Sequence, residues 1–150
     1  MERPRVGILM ESESDLAKMQ KAAQVLEEME VVYEMWILSV RQERDLTTYY
    51  ALSARKRGLE VIIYGAGEAA HLAGAIAAET TLPVIGISLA SGPLSGVEAL
   101  SATVQMPSGI PVATVAVDGT SNAAYLACRI VAINDERLAE RLEAKGQTTR

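Results

Sequence analysis

Residues 58–78 read GLEVIIYGAGEAAHLAGAIAA, and this stretch decides the fold. The run Val61–Tyr64 is apolar at every position, with no polar alternation, so both faces of the strand it predicts must be covered. Gly65-Ala66-Gly67 breaks the run, and a helix of small residues is expected from about Ala69. The same order recurs on either side. Val6–Met10 predicts a buried strand, and the polar turn ESESD leads to a helix over Leu16–Met29. Val31–Leu38 is strand-like, and Asp45–Arg57 reads as a helix closed by a basic RKR and Gly58. Downstream, Pro83 introduces the strand Val84–Ile87. A helix over Ser95–Val104, a strand over Val112–Val117 and a helix over Asn122–Asn134 follow. From about residue 136 a charged tail is helical at first and then frayed. Alternating strands and helices of this kind predict a parallel sheet with helices on both faces, a doubly wound α/β/α sandwich. In such folds ligands bind beyond the carboxyl ends of the strands. That selects the loops Glu11–Asp15, Ser39–Asp45, Gly65–His71, Ser88–Ser95 and Asp118–Asn122.

Length and charge set outer bounds. The 150 residues fit one domain, with no linker, repeat or low-complexity segment. The formal charge of −5 disfavours a nucleic-acid partner. One cysteine, Cys128, excludes an internal disulfide, and no Cys/His cluster offers a metal site. The short apolar run in MERPRVGILM suits neither a signal peptide nor a membrane span, so no membrane partner is expected and a cytoplasmic location is. Residues 58–134 hold only six charged side chains, Glu60, Glu68, Glu79, Glu98, Asp118 and Arg129. Ala69–Ala78 has none, and Asn122–Asn134 has only Arg129. Helices so bare need cover on all sides, which predicts an oligomer.

The chemistry of the loops is sparse. Ser12, Ser14 and Asp15 stand at a helix start, where backbone N–H groups hold phosphates; serines there also serve simply as caps, and taken alone the cap is the better reading. The loop GAGEAAH lacks the spacing of a dinucleotide fingerprint because Ala70 replaces its third glycine. It does bring His71, the only histidine, to the ligand side. Trp36, Tyr49 and Tyr50 could stack on a ligand, but core or interface suits them better. Local chemistry alone reaches a small α/β domain with an anion site.

Taken together, the segments are more specific. VGILMxSxSD (6–15), KAAxxL (21–26), GLEVIIxGAGxAAHL (58–72), LPVIG (82–86), LSGVEAL (94–100), VQMPSGIPVATVA (104–116) and NAAYLA (122–127) resemble the N5-carboxyaminoimidazole ribonucleotide mutase and aminoimidazole ribonucleotide carboxylase family of purine biosynthesis. The resemblance runs from Arg5 to about Leu142. It implies a five-stranded, flavodoxin-like sandwich, a homo-octamer with sites at subunit junctions, and a reaction without metal or organic cofactor. A carboxylate moves from the exocyclic nitrogen to ring carbon 4 of a small-molecule ribonucleotide. By matching motifs, Ser12 and Asp15 fall on ribonucleotide-binding positions and Ser39 on the start of an SAHR segment. Gly65, Ala66, Gly67, Ala69, Ala70 and His71 fall on the GAGGAAH loop, and Leu94, Ser95 and Gly96 on a pocket wall.

Four positions depart from that pattern. Arg41 stands in place of the acid–base histidine and Gln42 in place of the phosphate-binding arginine. Glu11 and Glu68 replace glycines. Arginine stays protonated at any ordinary pH and cannot shuttle the proton. One reading is a mutase in which His71 takes over proton transfer and Arg41 or Arg44 takes the phosphate. A second is a paralogue binding another nucleotide. A third is an inactive or engineered derivative kept as an oligomeric scaffold, with Glu11, Glu68, Arg41 and Arg44 ion-paired across the pocket.

Overall fold

The computed structural model describes residues 2–67, 72–90 and 96–149, with side chains described to residue 146. Five parallel strands, β1 (Val6–Met10), β2 (Tyr33–Ile37), β3 (Val61–Ala66), β4 (Val84–Ser88) and β5 (Ala113–Thr114), form one sheet in the order β2-β1-β3-β4-β5. Helices α1 (Leu16–Glu28), α2 (Arg44–Ser53), α3 (Ala73–Ala77), α4 (Val97–Val104), α5 (Thr120–Ala132) and α6 (Glu136–Thr149) complete the expected α/β/α sandwich.

The pleat divides the core in two. Val6, Ile8 and Met10 of β1 point to the face covered by α1 and α5, together with Ile63, Ile85 and Ile87. Leu9, Ile62 and Tyr64 point to the other face, against Tyr50 and Ala51 of α2 and Ala73 and Ile76 of α3. Gly7 sits on this second face because a Cβ there would overlap the buried Tyr50 hydroxyl. The Arg57 guanidinium lies over the Tyr50 ring, 4.9 Å from its centre.

The strand boundaries differ from expectation at two places. β3 continues through Gly65 and Ala66, since Gly65 pairs with both Met10 and Ile87 and its missing Cβ admits the Met19 side chain. β5 is confined to Ala113–Thr114, an edge strand paired only with β4, although six residues read as strand-like. The tail also differs, because α6 stays helical to Thr149.

α6 changes the reading of the bare segment 58–134. It packs on α5, whose opposite flank meets α1, so Ala123, Ala124, Ala127, Cys128 and Val131 are covered within the chain itself. Burial pushes the Cys128 thiol up to about 11. Among the described residues, exposed apolar side chains gather elsewhere, on β2 and α2: Trp36, Ile37, Leu46, Tyr49 and Leu52. Tyr50, by contrast, is core.

Ion pairs close the amino-terminal edge of the sheet. Arg5 bridges Glu60 and Asp135, each at 2.6 Å, and Arg57 meets Glu34 at 3.1 Å through both terminal nitrogens. Arg5 and the Leu138 N–H lower the Asp135 carboxyl below its usual value. For Glu34 burial acts upward, but Arg57 together with Tyr50 and Trp36 outweighs it, and the net shift is down. Groups whose folded values are depressed contribute stability above their unfolded values, and that stability is lost as pH falls through the folded ones. The urea midpoint is therefore expected to drop between about pH 5 and about pH 3 with an unchanged slope. A midpoint flat across that range would contradict the assignment.

Candidate active site

Beyond the carboxyl ends of the strands the backbone ladder continues, and it ties the ligand-side loops together. Leu38 N–H donates to the Met10 carbonyl (2.8 Å), Glu11 N–H to Gly65 (3.2 Å), Leu89 N–H to Ala66 (2.9 Å) and Asp118 N–H to Ser88 (2.9 Å). Side chains build the site on this frame.

Ser12 caps a 3-10 turn over Glu13–Asp15 that leads into α1, its hydroxyl accepting from the Ser14 N–H at 3.3 Å. The two serine hydroxyls lie 3.0 Å apart and are exposed, as an anion site at this turn requires. Burial raises the neighbouring Asp15 carboxyl despite the Ser12 backbone contact and Lys18. One turn further, Lys18 Nζ donates to the Ala90 carbonyl (2.6 Å) and pairs with Asp118 (3.0 Å). Asp118, held at φ +59°, also accepts from the Ala90 N–H (2.9 Å). Burial acts upward on Asp118, but the Ala90 N–H and Lys18 outweigh it and lower the carboxyl. These contacts fasten the loops after β4 and β5 to the start of α1.

Glu11 is the hub of the opposite wall. Its Oε1 accepts from the Ser39 hydroxyl (2.7 Å), and its Oε2 from the Val40 N–H (3.1 Å) and the Tyr64 hydroxyl (2.5 Å). Burial and this carboxylate push the Tyr64 phenol well above its usual value. Arg41 completes the set, with Nε 3.9 Å from Glu11 Oε1. Glu43 supports the loop from its other end, accepting from the Ser39 N–H at 3.2 Å. Ser39 itself is buried, and its oxygen also accepts from the Gln42 N–H at 3.2 Å. Gln42 and Arg44 are exposed.

Of the residues expected in the site, Ser12, Asp15, Ser39 and Gly65–Gly67 thus stand on the carboxyl edge, with Gly65 and Ala66 buried in β3. Glu11 and Arg41 are brought together. Glu68, Ala69, Ala70, His71, Leu94 and Ser95 lie outside the described residues. Sequence reasoning missed Tyr64, read only as strand core, and the Lys18–Asp118 pair. Tyrosine at the last apolar position of Val61–Tyr64 was the one available signal for the former. Among the described residues no group of His, Cys, Asp and Glu could hold a metal, and no helix is long and apolar enough to cross a membrane.

The strand order β2-β1-β3-β4-β5, with a serine-capped turn after the first strand, defines a small doubly wound α/β protein of the flavodoxin-like class. The chain belongs to the AIR carboxylase family, whose family model matches residues 5–150. It is 52% identical over 141 residues to an N5-carboxyaminoimidazole ribonucleotide mutase of Pyrococcus horikoshii, covering 94% of this chain and 80% of that protein. It is 50% identical over 144 residues to a phosphoribosylaminoimidazole carboxylase of Schizosaccharomyces pombe, covering 96% of this chain and 26% of that much longer protein. Among solved structures, Treponema denticola PurE superposes with a TM-score of 0.87 at 27% identity, covering 98% of this chain and 92% of that one. At family level the function is that of a mutase or carboxylase of purine biosynthesis.

Proposed function

We propose that this chain is a single AIR carboxylase-like domain that binds an aminoimidazole ribonucleotide at the carboxyl edge of its sheet. There it interconverts N5-carboxyaminoimidazole ribonucleotide and 4-carboxyaminoimidazole ribonucleotide. The observation that carries this reading is the family match over residues 5–150, and the exposed Ser12 and Ser14 hydroxyls at the carboxyl edge of the sheet are consistent with it. In the forward direction the N–carboxylate bond breaks, its electron pair stays on the exocyclic nitrogen, which takes up a proton, and carbon dioxide and enclosed aminoimidazole ribonucleotide result. Ring carbon 4 then attacks the carbon dioxide, and the proton it sheds passes to a base, for which His71 is proposed. Ser12, Asp15, Ser39, Gly65, Ala66, Gly67, Ala69, Ala70, Leu94 and Ser95 would wall the site, with no metal or organic cofactor. The test is ultraviolet-monitored conversion between the two carboxylated ribonucleotides. No turnover at high enzyme concentration, with no ribonucleotide affinity by calorimetry, would overturn it. The Glu11–Arg41 pair favours a second reading, a paralogue or scaffold in which the rebuilt wall accepts another nucleotide or none.

The working form we propose is a cytoplasmic homo-octamer. The exposed cluster of Trp36, Ile37, Leu46, Tyr49 and Leu52 supports burial against another copy, because an apolar patch of this size on a lone subunit would promote aggregation. The cluster borders the Ser39–Glu43 loop, which would set the site at a junction. Light scattering is expected to show an assembly for the parent chain and smaller species for Leu46→Lys/Leu52→Lys. A stable monomeric parent would remove this part of the reading.

A further inference from the structure

We infer that Arg41 is a ligand-binding residue that grips an oxyanion of the bound molecule, and that Glu11 is the positioning residue that holds it to that task. The inference rests on the ribonucleotide reading for the identity of the ligand, and on the geometry of the β1 and β2 loops for the rest.

Glu11 introduces a negative charge at an edge suited to anions, which by itself would repel a phosphate or carboxylate. Its environment removes that objection. The carboxylate is mostly buried, with its side chain 14% exposed, and both oxygens are taken up by the Ser39 hydroxyl, the Val40 N–H and the Tyr64 hydroxyl. Its charge is spent inward, on fixing residues 39–41. Arg41 is the reverse case: its side chain is 64% exposed, and Nε is the atom that approaches Glu11. At 3.9 Å this contact is an ion pair and not a hydrogen bond, so among the described residues no hydrogen bond takes up the N–H donors of the guanidinium. Those are the donors that form the parallel, bidentate pair with a carboxylate or a phosphate. Glu43 and the Ser39 hydroxyl brace the same loop, bonding the Ser39 and Gln42 N–H groups, so the backbone carrying Arg41 is fixed on both sides. A permanently charged fork, pre-set by a buried carboxylate, is a recognition device rather than a proton carrier.

The test follows affinity and kinetics in Arg41→Met, Arg41→Lys and Glu11→Gln. Trp36, the only tryptophan and two residues from Leu38, supplies a fluorescence signal for the loop. Arg41→Met is expected to weaken binding of 4-carboxyaminoimidazole ribonucleotide, which carries both a phosphate and a carboxylate, roughly 10–100-fold, the range for losing a charge-assisted pair. Arg41→Lys should recover only part, because lysine lacks the planar fork. Glu11→Gln sets an amide NH2 against one of the three donors and should lower the thermal midpoint; at temperatures where the variant stays folded it should raise KM by a larger factor than it lowers kcat, a split that a merely structural role would not give. The ligands separate the two sources of the oxyanion. A phosphate grip predicts that the phosphate-free nucleoside binds parent and Arg41→Met equally; a carboxylate grip predicts that the loss persists for the carboxylated nucleoside. Parent-like ribonucleotide affinity in Arg41→Met would sink the inference while leaving the proposed function intact. Should the parent bind no ribonucleotide, the proposed function fails, and inorganic phosphate and malonate become the probes. A Trp36 response to either that vanishes in Arg41→Met then upholds the inference, and equal responses, or none, overturn it.

Discussion

Turnover in His71→Ala is expected to fall by roughly 100- to 10,000-fold, the usual worth of a positioned general acid–base group. The migration of a carboxylate to ring carbon 4 releases a proton from that carbon, and a group titrating near neutrality must take it. His71 is the only histidine in the chain. The other polar side chains of the described edge are poorly suited. Arg41 does not titrate in the working range. Glu11 has both oxygens engaged by fixed donors, and Tyr64 is held protonated by burial and by Glu11. Among the described residues of the edge, Asp15 competes, since burial lifts its carboxyl. The pH profile of kcat/KM distinguishes them. A histidine base gives a limb near 6.5, whereas an Asp15 base gives one further to the acid side. A His71→Ala variant that keeps its turnover, with an acid limb that disappears in Asp15→Asn, would transfer the role to Asp15.

Gly7→Ala is expected to cost about 3 kcal/mol of stability, at the upper end for overpacking in a core, and to lower the thermal midpoint by roughly 6–12 °C. β1 is central in the sheet, paired along its whole length with β2 on one side and β3 on the other, so its backbone has little freedom to retreat. A new methyl group there would run into the buried Tyr50 hydroxyl, with the ring carbon that bears it 3.2 Å away. The tyrosine cannot easily move, because Arg57 lies over its ring and Glu34 in turn holds Arg57. Tyr50→Phe deletes the overlapping oxygen, so the double variant should regain much of the loss. Urea unfolding of the four members of this cycle gives the coupling directly. Additive effects of the two changes would show that the steric account is wrong.

The parts of this molecule that were legible in its sequence are those set by local pattern. Val61–Tyr64 is apolar without alternation because it is covered on two faces, and the pattern reports that burial. Gly65 was misread as a strand end. A glycine that punctuates a chain and a glycine that makes room for Met19 look alike until the packing is known. The bare helix over α5 was legible as needing cover, but not that α6, only a few residues further along, supplies it. Trp36 and Tyr49 read as core or interface, but Ile37, Leu46 and Leu52 beside them escaped notice because the charges among them masked an exposed apolar cluster. The site was least legible where its contacts are long-range. Glu11 meets Ser39 and Tyr64 across 28 and 53 residues, and Lys18 meets Asp118 across 100. No spacing rule connects such positions. Glu11 therefore read as a departure from a family glycine, when its carboxylate is committed to the loop that presents Arg41.

Cys128 gives the packing of α5 a practical consequence. It is the lone cysteine, wholly buried between α5 and the elements that cover it, and its thiol is held protonated up to about 11. A thiol reagent can reach that sulfur only when the helical layer parts, and reacts only with the thiolate formed there. The molecule thus carries a built-in clock. The rate of Cys128 labelling at neutral pH counts excursions of one helical layer away from the sheet, and its ratio to global unfolding reports whether α5 and α6 peel away as a unit or leave only with the whole fold.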